Sequence, residues 1–231
     1  MLSKKPILTL VLSLLLAGCA KSKPATPADY YASEAYQNRE VLRQSLFKSD
    51  EAVLTSEEIE KILGSKIQLP TRAHLTVLRL GAPDETLSWA FLTGSQNPLT
   101  VLGSAPRLSR VSWLPSLLIP EKMTVPLLRE AAARFQADLL LVYRSPCQRF
   151  QDYRLFRTDK AKTYCIAEGI LLDVRTGVIP FSTATTREVR VEQTPDDVNF
   201  YETMKKAEAQ ATGQALGELA QQLAEFLVGA P

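Results

Sequence analysis

The fold is decided by the run Leu139-Leu140-Leu141-Val142-Tyr143. A short, almost wholly apolar run of this kind is typical of a strand that is covered on both faces of its sheet. Thr124 begins a helical pattern upstream of it, with Pro126 in the first turn and an apolar face made by Leu128, Ala131, Ala132 and Phe135. Residues 111–114 predict an earlier strand. The result is a strand–helix–strand unit, which we expect to form a right-handed parallel crossover.

A long hairpin follows in the sequence. Tyr164 to Val174 predicts one strand, and Val178 to Val191 predicts the returning strand. The residues Asp173 to Val178 between them predict a turn in which Gly177 adopts a positive φ. The stretch from Arg144 to Lys162 that precedes the hairpin is interpreted as a loop.

The chain ends in a predicted helix that Asp196 or Asp197 caps and that runs to about Val228. An apolar stripe along this helix should lie on the sheet. The stripe consists of Phe200, Met204, Ala207, Ala211, Leu216, Leu219, Leu223 and Phe226.

The first part of the domain has weaker patterns. Thr55 and Glu58 match a capping box, followed by a helical face of Ile59, Ile62 and Leu63 and by a stop at Gly64. His74 to Leu80 predicts a strand. The region 85–109 is ambiguous: 87–92 suits a strand, and 99–102 suits a strand or a helical turn. Together these patterns predict one α/β domain over 55–229, a mixed sheet with helices packed on it.

The chain begins with a leader. Lys4 and Lys5 precede an apolar run, Pro6 to Ala17, which has signal-peptide length and is too short to span a bilayer. The next residues, Leu16-Ala17-Gly18-Cys19, resemble the lipobox of bacterial lipoproteins. This resemblance implies that residues 1–18 are removed and that Cys19 is lipidated with acyl chains such as palmitate. The alternative is an ordinary secretory signal with an incidental cysteine.

The residues after Cys19 bear on location. Ala20 stands where an Asp typically marks inner-membrane retention, so the resemblance favours the periplasmic face of the outer membrane. Residues 19–54 are interpreted as the lipidated cysteine and a polar tether. Loss of Lys4 and Lys5 leaves 25 basic and 25 acidic residues, a balance that disfavours binding to nucleic acid.

Two cysteines remain after lipidation, Cys147 and Cys165. An even pair in an oxidising compartment predicts a disulfide. The alternatives are two separate buried thiols, or a zinc site with His74 that lacks a fourth ligand.

The sequence carries no pattern for catalysis. His74 is the only histidine and is interpreted as an edge or surface residue, and GxSxG, HExxH, Walker A and GxGxxG motifs are absent. We therefore predict no catalytic residue, cofactor or metal. A glycan hydrolase that uses paired carboxylates is the enzymatic alternative, although no pair is singled out.

The excursion 144–162 is basic and aromatic, with six Lys or Arg residues against Asp152 and Asp159. Arg and Tyr are residues that anchor protein interfaces. We predict partner binding by Arg149, Tyr153, Arg154, Phe156 and Arg157. The alternative is a solvated hairpin whose aromatic side chains close over the core.

The segment 124–226 resembles a recurring envelope pattern: a helix, an "AD" plus apolar strand at 137–142, a "DVRTG" turn at 173–177, a return strand and a long helix. It is similar to the TolB N-terminal, LpoB and CsgG-like group and to rhombotarget lipoproteins. The resemblance implies a non-enzymatic adaptor, or an assembly or regulatory factor, that binds an envelope protein. A subunit of an oligomeric secretion complex is a further alternative, and the oligomeric state is left open.

Overall fold

The chain folds into a mixed six-stranded sheet with helices against it, in a computed structural model that describes residues 55–64, 67–80, 98–152 and 160–230. The strands are β1 (Ala73–Arg79), β2 (Leu108–Trp113), β3 (Leu139–Arg144), β4 (Cys147–Asp152), β5 (Lys160–Asp173) and β6 (Phe181–Glu192). The helices are α1 (Ser56–Gly64), α2 (Pro98–Gly103), α3 (Val125–Arg134) and α4 (Phe200–Gly229), with a 3₁₀ turn at Ser116–Leu118. The predicted α/β class is confirmed.

Some predictions lie outside the described residues. These are the leader, the lipobox residues Leu16, Ala17 and Gly18, the lipidated Cys19, the tether, and the strand at 87–92. Among the described helices, none has the length and apolarity needed to cross a bilayer.

β1 is the central parallel strand. It pairs in parallel with β2 on one side and with β3 on the other. The connection from β2 through α3 to β3 therefore joins strands two places apart, which confirms the parallel crossover. The short helix α2 lies between β1 and β2 along the chain. It includes residues 99–102, for which the sequence allowed a strand or a helical turn.

β5 is the longest strand and organises the rest of the sheet. Its second half pairs antiparallel with β3, from Arg144 opposite Glu168 to Leu139 opposite Asp173. Its first half pairs with β4, and its other edge pairs with β6. β3 and β4 thus lie end to end beside β5, separated by Ser145 and Pro146. The loop expected over 144–162 was wrong in part, because β4 occupies its first half.

The core has two layers, one on each face of the sheet. Leu139, Leu141 and Tyr143 of β3 face α4, whereas Leu140 and Val142 face α3. All five side chains are buried, which confirms a strand covered on both faces. Burying each such side chain contributes roughly 1.5–3 kcal/mol.

α4 lies along one face of the sheet as predicted, and Met204, Ala207, Ala211, Leu216, Leu219 and Leu223 are buried. A Cβ at Gly169 would lie 3.0 Å from Leu219 Cδ1, so the glycine allows the helix to approach closely. The predicted cap was wrong: Asn199 caps the helix and accepts from Glu202 N at 3.0 Å.

Asp197 has another role. Its carboxylate accepts from Thr194 N at 2.8 Å and from Thr203 Oγ1 at 2.9 Å, and it pairs with Lys206. The hydrogen bond from Lys206, followed by those of the two threonines, holds the pKa of Asp197 well below its usual range. Asp197 thus braces the turn that leads into α4.

α1 begins at the predicted capping box. Thr55 N donates to Glu58 Oε2 at 2.8 Å, and Glu58 N donates to Thr55 Oγ1 at 3.3 Å. The bond from Thr55 N and the one that Thr55 Oγ1 donates to Glu58 Oε2 at 2.9 Å lower the pKa of Glu58. The helix buries none of its residues, and Leu63 is 79% exposed.

Candidate interaction surface

The sheet extends beyond its central part as an arm, defined here as β4 with residues 160–167 of β5 and 185–192 of β6. One side of the arm, the inner face, packs on α4. The other side, the outer face, carries no helix in the part of the chain that the structure describes, and Phe150 is 50% exposed there. The arm is therefore a two-layer structure, whereas β3 lies in a three-layer structure.

The inner face is built from small residues. Ala161, Thr163, Cys165 and Ala167 alternate along β5 and are buried. Cys165 and Val189 pack against Ala207 and Ala211 of α4. Small side chains bring the helix close but supply little apolar area, so this half of the sheet requires other stabilising interactions.

The first of these is the disulfide between Cys147 and Cys165, which confirms the predicted pairing. The two residues are register partners across β4 and β5. The Thr212 hydroxyl of α4 lies 3.2 Å from one sulfur and 3.3 Å from the other. A loop of this size stabilises by about 3 kcal/mol in the chain-entropy model.

The second is an ion pair between Arg149 and Glu208. Nε and Nη2 of Arg149 donate to the two carboxylate oxygens at 3.0 and 2.8 Å, a bidentate geometry. The side chains are only 11% and 7% exposed. Arg149 was predicted to bind a partner, but it lies on the inner face and binds Glu208, so we exclude it from the candidate surface.

The remaining predicted partner-binding residues are Tyr153, Arg154, Phe156 and Arg157. They lie outside the described residues, in the segment 153–159 that joins β4 to β5. The ends of that segment are held by Asp152 and Lys160, which are register partners. The prediction for these four residues stays a prediction.

The outer face combines aromatic and charged side chains. The rings of Phe150 and Tyr164 meet edge to face with centroids 5.7 Å apart, and Lys162 Nζ lies 4.4 Å from the Tyr164 centroid. Glu188 of β6 pairs with Lys162 at 3.2 Å and with Arg190 at 2.6 Å. A hydrogen bond from Tyr164, and then those from Arg190 and Lys162, lower the pKa of Glu188 to about 2.

The sequence analysis predicted the strand that carries Glu188 and Arg190 but did not place either residue in the candidate surface. Glu188 and Arg190 were visible only as polar positions in the alternating pattern of a strand. Ile166, which is 37% exposed, lies on the same face as Tyr164 because alternate residues of a strand share a side.

The only histidine lies at the other end of the sheet, and its interpretation as an edge or surface residue was wrong. His74 is 8% exposed, because β1 is flanked by strands on both sides. Its Nδ1 donates to Gln136 O at 2.9 Å, and its Nε2 lies 2.8 Å from Ser112 Oγ. A carbonyl can only accept, so Nδ1 carries a proton, and Nε2 shares a hydrogen bond with the Ser112 hydroxyl.

The "AD" and "DVRTG" motifs meet close to His74. Asp138 accepts from His74 N at 3.0 Å and from Arg175 Nη2 at 3.3 Å. Arg129 of α3 donates to the carbonyls of Val174 and Arg175 at 3.1 and 2.7 Å. The motifs therefore brace the sheet, which gives them a structural role.

The turn itself has the predicted form. Gly177 has φ 78°, and its N–H donates to Asp173 O at 2.8 Å. A Cβ at Gly177 would lie 3.0 Å from the Arg129 guanidinium, so this position disfavours a side chain on two grounds. The returning strand begins at Phe181, three residues later than expected.

Four carboxylates of the clusters above have intramolecular donors: Asp138, Asp197, Glu188 and Glu208. Within the described ranges, no group of three or more His, Cys, Asp or Glu is placed to hold a metal ion.

No protein-family model matches the chain, and no curated protein matches it. Solved structures do. The hypothetical protein CT253 from Chlamydia trachomatis is 9% identical, with 68% of this chain and 98% of that one covered and a TM-score of 0.40. Lipoprotein GNA1162 from Neisseria meningitidis is 16% identical over 68% and 99%, with a TM-score of 0.33. A minor lipoprotein from Acinetobacter baumannii is 14% identical over 68% and 92%, also at 0.33. The structural neighbours thus include bacterial lipoproteins.

Proposed function

We propose that the chain is a lipoprotein of the bacterial envelope that acts as a non-enzymatic adaptor, or as an assembly or regulatory factor. Its lipid on Cys19 would hold it at the periplasmic face of the outer membrane. The leader and the Leu16-Ala17-Gly18-Cys19 sequence support the anchor. Two or more acyl chains give stable attachment, whereas one gives marginal binding.

The observation that carries the adaptor role is the outer face of the arm. Phe150 and Ile166 are exposed there beside the Lys162, Glu188 and Arg190 charges. Aromatic residues are enriched at protein interfaces, and the rims of such interfaces are polar. The disulfide fixes β4 on β5 before any partner arrives, which lowers the ordering cost of binding. The proposed partner is an envelope protein.

Site-specific photocrosslinking in living cells tests the adaptor role. A photoreactive phenylalanine analogue replaces Phe150 in the full, lipidated chain, and a second variant carries it at Tyr201, which is matched at 48% exposure but lies on α4. We expect one crosslinked envelope protein at position 150, none at position 201, and loss of the product when Ile166→Asp is added. The same product at both positions, or none at 150, would contradict the proposal.

The anchor is tested separately with Cys19→Ala. This chain has no thiol for acylation, so it should stay unprocessed or leave the membrane fraction in a high-salt wash. Normal processing with full membrane retention would overturn the lipoprotein assignment.

A further inference from the structure

An uncharged segment projects from the sheet where β2 ends. It reads Trp113-Leu114-Pro115-Ser116-Leu117-Leu118-Ile119-Pro120, and we call it the apolar loop. Leu117 is 97% exposed, and Trp113 is 38% exposed. Single exposed leucines occur on many surfaces. A run of eight residues without a charge, in which Leu117 is almost fully exposed, indicates a contact site.

The apolar loop is fixed in place by its base. Leu114 is 5% exposed, and its N–H donates to Val77 O of β1 at 2.9 Å. Leu118 and Ile119 pack against the core beneath α3. The fold therefore holds the loop so that Leu117 points outward, and no rearrangement is needed before contact.

Hydrogen bonds within the apolar loop satisfy part of its backbone. In lipid, each backbone N–H requires a partner within the protein. Pro115 and Pro120 have no N–H, Leu118 N donates to Pro115 O at 2.9 Å, and Ile119 N donates to Ser116 O at 3.2 Å. The turn thus satisfies the backbone donors of Leu118 and Ile119 within the loop.

We infer that the apolar loop inserts Leu117 into the surface of the bilayer that carries the Cys19 lipid, an inference that rests on the proposed anchoring. From Cys19 to Thr55 the chain advances 36 residues, which reach at most about 120–130 Å when fully extended. If Cys19 is lipidated, the domain stays within that distance of the bilayer, and tethering makes a small contact sufficient. Trp113 at the base matches the preference of Trp for the headgroup level.

Fluorescence quenching by brominated lipids tests this inference. The chain has two tryptophans, so Trp89→Phe isolates Trp113 in the full, lipidated protein reconstituted into phosphatidylcholine vesicles. We expect brominated lipid to reduce the emission of Trp113 about twofold, because a ring at the headgroup level lies within reach of the bromines. Adding Leu117→Asp should abolish the quenching. The matched control Val198→Asp, at a residue that is 88% exposed, should preserve it.

Flotation of the same vesicles separates the two proposals. Protein that floats without quenching, or that is quenched equally with Leu117→Asp, overturns the insertion of the loop and leaves the anchor intact. Protein that does not float overturns the anchor and, with it, the inference.

Discussion

The two halves of β5 contrast sharply although they belong to one strand. Its second half, paired with β3, lies between α4 and α3, and Leu171 and Leu172 are buried on opposite faces. Its first half, in the arm, is covered by α4 alone among the described helices, and its outward residues Lys162, Tyr164 and Ile166 are partly exposed. One strand is thus stabilised by apolar volume at one end and by a disulfide and an ion pair at the other.

The largest expected effect is on the doubly covered half. Leu140→Ala removes a fully buried side chain that packs on α3, and it should lower the free energy of unfolding by about 2–5 kcal/mol. Ile166→Ala on the outer face should cost less than about 1 kcal/mol. Urea unfolding of both variants measures the difference. Equal losses would show that the outer face is covered in solution.

Loss of the disulfide should rank next. Cys147→Ala with Cys165→Ala should cost about 3 kcal/mol, since the unfolded chain gains freedom. Native-state hydrogen exchange should show faster exchange in the arm and little change in β1 and β3. Reduction of the wild-type protein supplies the control. Uniform acceleration over the sheet would mean that arm and core unfold as one unit.

Breaking the ion pair of the inner face should have a similar or smaller effect. Arg149→Ala leaves Glu208 buried without its main donor, at a cost of about 2 kcal/mol. Adding Glu208→Ala removes the carboxylate that Arg149→Ala leaves without its main donor. The double variant should therefore lose less free energy of unfolding than the sum of the two single losses. Strict additivity in chemical unfolding would argue against direct coupling.

The smallest effect concerns Glu188 on the outer face. Its pKa in the folded chain is about 2, below the ordinary value of 4.5. The stabilisation from this group is therefore present above pH 4.5 and disappears as the pH falls toward 2. NMR titration of the carboxyl should place the midpoint near 2, and Tyr164→Phe should raise it. A midpoint near 4.5 in the wild-type protein would refute the hydrogen-bond network.

Sequence reasoning succeeded where local chemistry decides the structure. The Thr55 capping box, the Gly177 turn and the apolar β3 run each depend on neighbouring residues, and all three were predicted. β4 was missed because Cys-Gln-Arg-Phe-Gln-Asp has no strong strand pattern. Its conformation comes from pairing with β5, a contact between distant parts of the chain.

The candidate surface was only partly predictable for the same reason. Arg149 resembles any other arginine of a basic excursion, and only the fold brings Glu208 to it from α4. His74 was assigned to the surface because nothing local indicates that β1 has neighbours on both sides. Asp197 and Asn199 are equally good helix caps by type, and the choice depends on Thr203 and Lys206 occupying Asp197.

The continuity of β5 has a mechanical consequence. When tension is applied at the start of β5 in the direction of the strand axis, it acts on a strand that continues between β3 and β6. The backbone hydrogen bonds that pair β5 with its neighbouring strands are then loaded in shear, so they break together and not one after another. A pull on the tip of the arm is thereby transmitted directly to the centre of the domain.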